Sequence, residues 1–229
     1  MIHARLPSFT LSSNNVNITG MIITWHGDYT IKIVTQGKTI ILDPCHPATG
    51  LRPVKAKGDV VALTDPANQM SSYTKGIQGA PILINTPGEY SFQDITLYAR
   101  SWHDEHGHEH NIQRWHIEGV TLLHVGALTR PLEETQLQEL EKISIDLLIL
   151  PVGGGTSLNH QQAMEVLTTI EPRVVIPIHY KLPRLKEKLE GVESFIADTG
   201  TSAASGQPKY NVNAKKLPAE GLVTVRLTP

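Results

Sequence analysis

The chain has 229 residues, with 22 acidic and 20 basic side chains and a formal net charge of −2 at pH 7. Hydrophobic residues make up 40% of it, enough for a globular core. The near-neutral charge argues against a nucleic-acid or membrane-surface role driven by a basic field. A single cysteine, Cys45, excludes a domain held by internal disulfides. No run approaches the roughly 20 apolar residues that span a bilayer, so we expect a cytoplasmic protein that binds neither nucleic acid nor membrane.

The first half of the chain has the pattern of strands. Residues 1–20 are polar, lack the order of a signal peptide and are predicted to be an N-terminal extension or an edge strand. Residues 21–229 are predicted to form one domain. Within it, short β-branched runs separated by turn residues predict a series of strands. These cover 21–25, 30–34, 39–43, 59–63, 81–84, 94–98, 112–117 and 119–125.

In the second half, helical and strand patterns alternate. Asn159 has the character of a helix N-cap, and Gln162 stands three residues later at capping-box spacing. Strands followed by β-α-β units predict a layered α/β fold with helices outside two packed sheets. The predicted helices cover 133–143, 159–170 and 183–189, and the predicted strands cover 146–150, 174–178 and 222–227.

Seven short motifs follow one another along the chain. They are Trp25-His-Gly-Asp-Tyr29, Ile41-Leu-Asp-Pro44, Thr86-Pro-Gly-Glu-Tyr90, Ser101-Trp-His-Asp104, Leu123-His-Val-Gly-Ala127, Pro151-Val-Gly-Gly-Gly155 and Ile176-Pro-Ile-His-Tyr180. In order and spacing they resemble the metallo-β-lactamase superfamily, in particular the small bacterial hydrolases related to L-ascorbate-6-phosphate lactonase. The resemblance covers residues 21–198 and implies an α/β fold, the αββα sandwich of two packed mixed β-sheets with helices outside.

Enzymes of that superfamily hold one or two zinc or similar ions with histidines and carboxylates, and the ions acidify a bound water. The signature His-x-His-x-Asp-His corresponds to residues 65–70 of this chain. Its four ligand positions read Asp65, Ala67, Gln69 and Met70. The bridging carboxylate is replaced by Ala127, and Asp28 stands in place of the histidine in the opening turn. Alanine offers no ligand atom, so most of the dinuclear site implied by the resemblance is missing.

The resemblance leaves His103 and His179 at ligand positions, with Asp65 as an oxygen donor in place of a histidine. If these three side chains converge, they can hold one zinc or other divalent ion at low occupancy, more weakly than an intact site. No other cofactor is implied. The alternative for His179 is a buried histidine that hydrogen-bonds to its neighbours.

Further residues are candidates for the residual cleft. Asp28, Asp43, Asp65 and Asp104 can meet near its mouth, where carboxylates with a histidine can perform acid–base chemistry without a metal. His124 lies beside a ligand position of the resembled family. The alternatives are a core histidine for His124 and structural or solvated carboxylates for the others.

Several histidines are concentrated in one short stretch. His106, His108 and His110 alternate, so an extended strand would place them on one side, where they can chelate a transition metal. The alternative is a polar loop that titrates at about pH 6 to 7 and binds metal only adventitiously. His103 is preferred over these three because it also matches a family ligand position.

Three functions are compatible with these observations. The favoured hypothesis is a metallo-β-lactamase-fold protein that has lost most metal ligands, a non-catalytic pseudoenzyme that binds a small molecule or a protein partner. The second is an atypical single-metal hydrolase of a small phosphorylated, lactone or ester substrate, built on Asp65, His103 and His179. The third is a structural or assembly subunit of a homo-oligomer. If the chain is an enzyme, the resemblance implies a metal-dependent hydrolase.

Overall fold

The computed structural model describes residues 20–104, 106–133, 136, 143–201 and 205–229. The strands are β1 (Met21–Trp25), β2 (Ile31–Thr35), β3 (Lys38–Leu42), β4 (Ala56–Lys57), β5 (Val60–Ala62), β6 (Ile77–Gln78), β7 (Ile82–Ile84), β8 (Gly88–Phe92), β9 (Ile95–His103), β10 (Glu109–Ile117), β11 (Val120–His124), β12 (Leu147–Pro151), β13 (Val174–Ile178), β14 (Tyr210–Val212) and β15 (Val223–Thr224). The helices are α1 (His160–Ile170), α2 (Glu193–Asp198) and the short 3₁₀ helices Pro47–Thr49 and Ala214–Lys216.

The strands form two large mixed sheets and one small sheet. The first large sheet has the order β14-β1-β2-β3-β5-β7, and the second has the order β15-β13-β12-β11-β10-β9-β8. The third pairs β4 with β6. In each large sheet, antiparallel pairs at one side give way to parallel pairs at the other. The predicted pair of mixed sheets is confirmed.

One core lies between the two large sheets. Strands β1 and β2 alternate buried and half-buried residues, as expected when one face of a sheet packs against a partner. Ile23 and Ile31 of the first sheet and Trp115 and Leu122 of the second are fully buried in the same cluster. Apolar side chains from the facing sheets therefore build the sandwich.

The helix α1 joins the parallel strands β12 and β13, as such crossovers require. Its N-terminus has the predicted capping box, because the Asn159 side chain accepts from the Gln162 N–H and the Gln162 side chain accepts from the Asn159 N–H, at 3.0 and 3.1 Å. Its inner face buries Ala163, Val166 and Leu167. No helix in the described residues has the length and apolar character needed to cross a membrane.

The predicted helix over 183–189 is wrong. Arg184 has a left-handed backbone with φ of 73°, which interrupts a right-handed helix. The Lys186 N–H donates to the Thr49 carbonyl at 2.9 Å, where a helix would need a partner four residues earlier. Helix α2, which buries Phe195, was not predicted. The extension predicted over 1–20, except Gly20, and most of the helix predicted over 133–143 lie outside the described residues.

Candidate metal centre

A carboxylate and two imidazoles meet where the two large sheets approach each other. Asp65 follows β5, His108 precedes β10, and His110 lies within β10. One ligand atom from each of the three lies within 4.8 Å of the others. His108 Nε2 is 2.9 Å from Asp65 Oδ1, and His110 Nδ1 is 3.7 Å from Asp65 Oδ2. The three side chains thus form one convergent group.

Two backbone features bring this group together. The Asn111 N–H donates to the Thr64 carbonyl at 2.7 Å, which joins the residue after His110 to the residue before Asp65. His108 and His110 are two residues apart, so an extended backbone directs both to the same side. The spacing of the histidines and one contact between the sheets therefore determine the group.

The hairpin turn between β9 and β10 is closed by Asp104. Its Oδ1 accepts the N–H groups of His106 and His108 at 2.9 and 2.8 Å. The N–H groups of His108 and His106 lower the pKa of Asp104 to about 2, so this carboxylate is ionised near neutral pH. Its other oxygen lies 3.4 Å from His110 Nε2. Asp104 therefore fixes both the turn and the orientation of one imidazole.

The group is buried on one side and open on the other. The side chains of Asp65 and His110 are 6% and 7% exposed, whereas that of His108 is 40% exposed. The His110 ring stacks on Trp102 with 4.5 Å between ring centroids. The hydrogen bond to Asp65 raises the pKa of His108 above its usual value. Solvent or a ligand can thus reach the centre past His108.

The donor atoms fit a transition metal ion. Two imidazole nitrogens and one carboxylate oxygen are the protein ligands of many catalytic zinc and non-haem iron(II) sites, which keep a coordination position open. His110 Nδ1 is buried and has no hydrogen-bond partner among the described residues. Buried polar atoms are rarely left unpaired, and a bound ion would pair this one. A histidine that binds a metal through one ring nitrogen commonly has a carboxylate next to the other ring nitrogen. Asp104 lies in that place, beside His110 Nε2.

The predicted trio of Asp65, His103 and His179 does not converge. His103 ends β9 with an exposed side chain, and its carbonyl accepts from Arg130 Nη2 at 3.2 Å. The reason is strand alternation, because the preceding residue, Trp102, points into the core and His103 must therefore point outward. His179 is fully buried elsewhere, where its Nδ1 lies 2.7 Å from Asp28 Oδ1.

His124 belongs to a buried polar contact between the sheets. Its Nε2 lies 2.7 Å from Asp43 Oδ2, and both side chains are fully buried. The same carboxylate accepts the N–H and the hydroxyl of Thr64, each at 2.7 Å. Gly126 packs so tightly here, with φ of 58°, that a Cβ would lie 2.1 Å from Thr64 Oγ1. The geometry therefore gives Asp43 and His124 a role in holding β3, β5 and β11 together.

Comparisons with known proteins agree with this fold. The model of the β-lactamase superfamily domain matches residues 22–179, well over half of the chain. The chain belongs to the metallo-β-lactamase superfamily. The predicted family is thereby confirmed.

Relatives in this superfamily cover nearly the whole chain. A UPF0173 metal-dependent hydrolase of Anoxybacillus flavithermus is 24% identical over 224 residues, which are 82% of this chain and 98% of the relative. A crystal structure from Thermotoga maritima, described as a zinc-dependent hydrolase of the superfamily, is 26% identical with a TM-score of 0.74 and covers 91% of this chain and 100% of its own. The metallo hydrolase Igni18 of Ignicoccus hospitalis, at 16% identity and a TM-score of 0.59, covers 85% and 98% and shares the fold.

Only one of the three candidate ligands stands at a position of the resembled signature. Asp65 stands at the first position of the signature, but His108 and His110 lie outside the family motifs. The expectation that the ligands are mostly lost is not supported, because the β9–β10 hairpin supplies two histidines beside Asp65. The signal was present in the sequence as the alternation of His106, His108 and His110. His103 was the preferred ligand because it matches a ligand position of the family motif, whereas these three histidines do not.

Removing the outer carboxylate tests the geometry of the centre. Asp104→Asn is expected to lower the affinity for Zn²⁺ about 10- to 100-fold, because the orientation of His110 and the charge beside it depend on this side chain. Isothermal titration with Zn²⁺ measures the effect. Glu109→Gln, at an exposed position of the same hairpin, is the matched control and should bind as the unmodified chain does. Equal affinity in both variants would exclude a metal at His110.

Proposed function

We propose that this chain is a metal-dependent hydrolase whose single divalent ion is bound by Asp65, His108 and His110. The observation that carries the proposal is their convergence around the unpaired, buried His110 Nδ1. Similar proteins that are named metal-dependent hydrolases support it. Zinc or iron(II) fits the donor set.

Each residue of the centre has a distinct task. Asp65 supplies the negative charge, and His110, held by the Trp102 ring and by Asp104, supplies a fixed nitrogen. His108 supplies the second nitrogen at the solvent-exposed side, where a substrate enters. When bound, a divalent ion supplies Lewis-acid chemistry that polarises a scissile carbonyl or phosphoryl group.

A non-catalytic pseudoenzyme was the hypothesis favoured by the family signature, and it lacks the support of the structure. That hypothesis depended on the loss of metal ligands at the motif positions, whereas donors from another hairpin form a group of their own. The proposed partner is therefore a small ester, lactone or phosphorylated substrate. Assembly into a homo-oligomer stays a prediction.

A metal-reconstitution assay tests the proposed function. The untagged chain is stripped with a chelator, reloaded with one equivalent of Zn²⁺ or Fe²⁺, and assayed on lactone, carboxylic ester and phosphodiester substrates. We expect hydrolysis of one class to require the metal and to fall at least about 100-fold in Asp65→Asn. The variant His103→Ala should retain activity, because His103 matches a family ligand position but lies outside the group. Hydrolysis that survives the chelator, or a metal-loaded chain inert towards all three classes, would contradict the proposal.

A further inference from the structure

A cavity of about 240 Å³ lies beside the loop that carries Asp65. Its described lining contains two carboxylates, Asp28 and Glu187, and the hydroxyls of Tyr29, Thr49, Ser71 and Thr156, with neither lysine nor arginine. The cavity therefore presents negative charge, together with hydroxyls that can donate or accept a hydrogen bond.

Glu187 is held in a fixed orientation at this cavity. Its Oε1 accepts the N–H and the hydroxyl of Thr156 at 3.0 and 3.1 Å, in the glycine-rich turn after β12. Its Oε2 lies 3.8 Å from His179 Nε2, too far for a hydrogen bond. One oxygen of this carboxylate is thus anchored, and the other lacks a donor from His179.

His179 stands directly behind the cavity wall. Its Nδ1 donates to Asp28 Oδ1 at 2.7 Å, because a carboxylate only accepts, and this leaves Nε2 as an acceptor in the neutral ring. Nε2 is fully buried and has no partner in the described part of the chain. Its neighbours Asp28, Glu187 and Tyr29, whose ring stacks on it at 4.1 Å, all line the cavity. The Tyr29 hydroxyl is also buried, with Ser157 and Thr156 as its polar neighbours.

Asp28 and Glu187 are acceptors whose negative charge is offset by no lysine or arginine of the described cavity lining. A primary ammonium carries three N–H donors and a positive charge, which match the two carboxylates and the surrounding hydroxyls. A phosphate or carboxylate would instead meet two like charges. We infer that the cavity binds the primary ammonium group of a small amine, with Glu187 and Asp28 as its charged partners. The inference rests on the proposed function only in treating that amine as part of the substrate.

Three probes of similar size test the charge preference. The full chain, stripped of metal, is titrated with ethanolamine hydrochloride, ethylene glycol and sodium glycolate at pH 7, and binding is followed by amide chemical shifts. We expect saturable shifts near Tyr29 and Thr156 with ethanolamine, an affinity at least about tenfold above that for ethylene glycol, and no binding of glycolate. Equal or tighter binding of glycolate would overturn the inference.

Two variants distinguish binding of ethanolamine in the cavity from a general attraction of the cation to negative charge on the protein. Glu187→Gln is expected to weaken ethanolamine binding at least about tenfold. Glu190→Gln, which neutralises an exposed carboxylate three residues later, should leave it unchanged. If Glu187→Gln does not fold, Asp28→Asn replaces it with the same expected loss. Unchanged ethanolamine binding in the folded variant overturns the inference. The inference is also overturned if Zn²⁺ displaces ethanolamine from the unmodified chain and the variant no longer binds Zn²⁺ in this cavity, because the cavity would then be a metal site.

The outcome is independent of the metal centre. Because the titration uses metal-free protein, failure of ethanolamine to bind removes the ammonium site and leaves metal binding at Asp65, His108 and His110 intact. Conversely, a chain that binds ethanolamine but shows no metal-dependent hydrolysis keeps the ammonium site and loses the proposed function.

Discussion

His110→Ala is expected to abolish stoichiometric binding of a divalent ion, with a loss of affinity of at least about 100-fold. The substitution removes a buried nitrogen donor that nothing else in the described structure replaces. Asp65 and the exposed His108 would remain, and two ligands are fewer than catalytic zinc sites use. Elemental analysis after dialysis against one equivalent of Zn²⁺ gives the stoichiometry, and a competition titration gives the affinity.

His103→Ala is the matched control for this prediction. It removes a histidine from the same hairpin, at the position that family motifs favour, but its side chain is exposed and outside the group. We expect full metal content in His103→Ala and none in His110→Ala. Thermal unfolding of both variants shows that the fold is retained. If metal is lost only from His103→Ala, the ligand is His103 at the family position, and the proposed centre is wrong.

Asp43→Asn is expected to destabilise the fold by about 3 kcal/mol or more. The carboxylate accepts two hydrogen bonds from Thr64 and lies 2.7 Å from His124 Nε2, and every member of this contact is buried. An amide replaces one oxygen acceptor with an N–H donor, which faces the donor on His124 Nε2, and it removes the carboxylate charge from this buried contact. Asparagine tolerates the left-handed backbone of residue 43, where φ is 43°, so the loss reports the side chain.

Urea unfolding measures this loss against a surface control. Asp59→Asn also alters an aspartate that accepts a backbone N–H, that of Thr39 at 2.8 Å, but this side chain is 34% exposed. We expect a cost of about 1 kcal/mol or less for it, since water replaces the lost partner. A cost for Asp43→Asn no larger than that of the control would show that the buried contact does not hold the sheets together.

Much of the fold follows from local sequence patterns. The β-branched run at 21–25 and the capping box of Asn159 and Gln162 predict elements that the structure contains. The break between the strands predicted over 112–117 and 119–125 is a turn at Glu118 and Gly119, where both residues have positive φ. The capping box and the turn are made within their own segments, and β1 pairs with β2, the next strand in the chain, as well as with the distant β14.

In the segment 183–189, the local sequence pattern predicts the wrong structure. Its composition favours a helix, but its polar groups bond to distant loops, including Thr49 and Thr156. Those contacts exist only once the sheets have assembled. Helix propensity is weak enough for tertiary hydrogen bonds to override it.

The candidate metal centre was predictable only in part. Asp65 is identified by the family signature, and the alternation of His108 and His110 is visible in the sequence. Their meeting depends on the contact of Asn111 with Thr64, which joins β10 to the loop after β5 of the other sheet, far away in the chain, and leaves no local signal. Strand alternation next to the buried Trp102 explains why the family position, His103, is outside the group.

The most direct test of the metal centre is anomalous diffraction at the zinc edge from a crystal of the full chain grown with one equivalent of Zn²⁺. The structure predicts one strong peak bonded to Asp65, His108 and His110, with zinc–nitrogen distances of about 2.0–2.1 Å. A principal peak at His179 or His103, or no ordered zinc at Asp65, would contradict the central claim that the β9–β10 hairpin supplies the ligands.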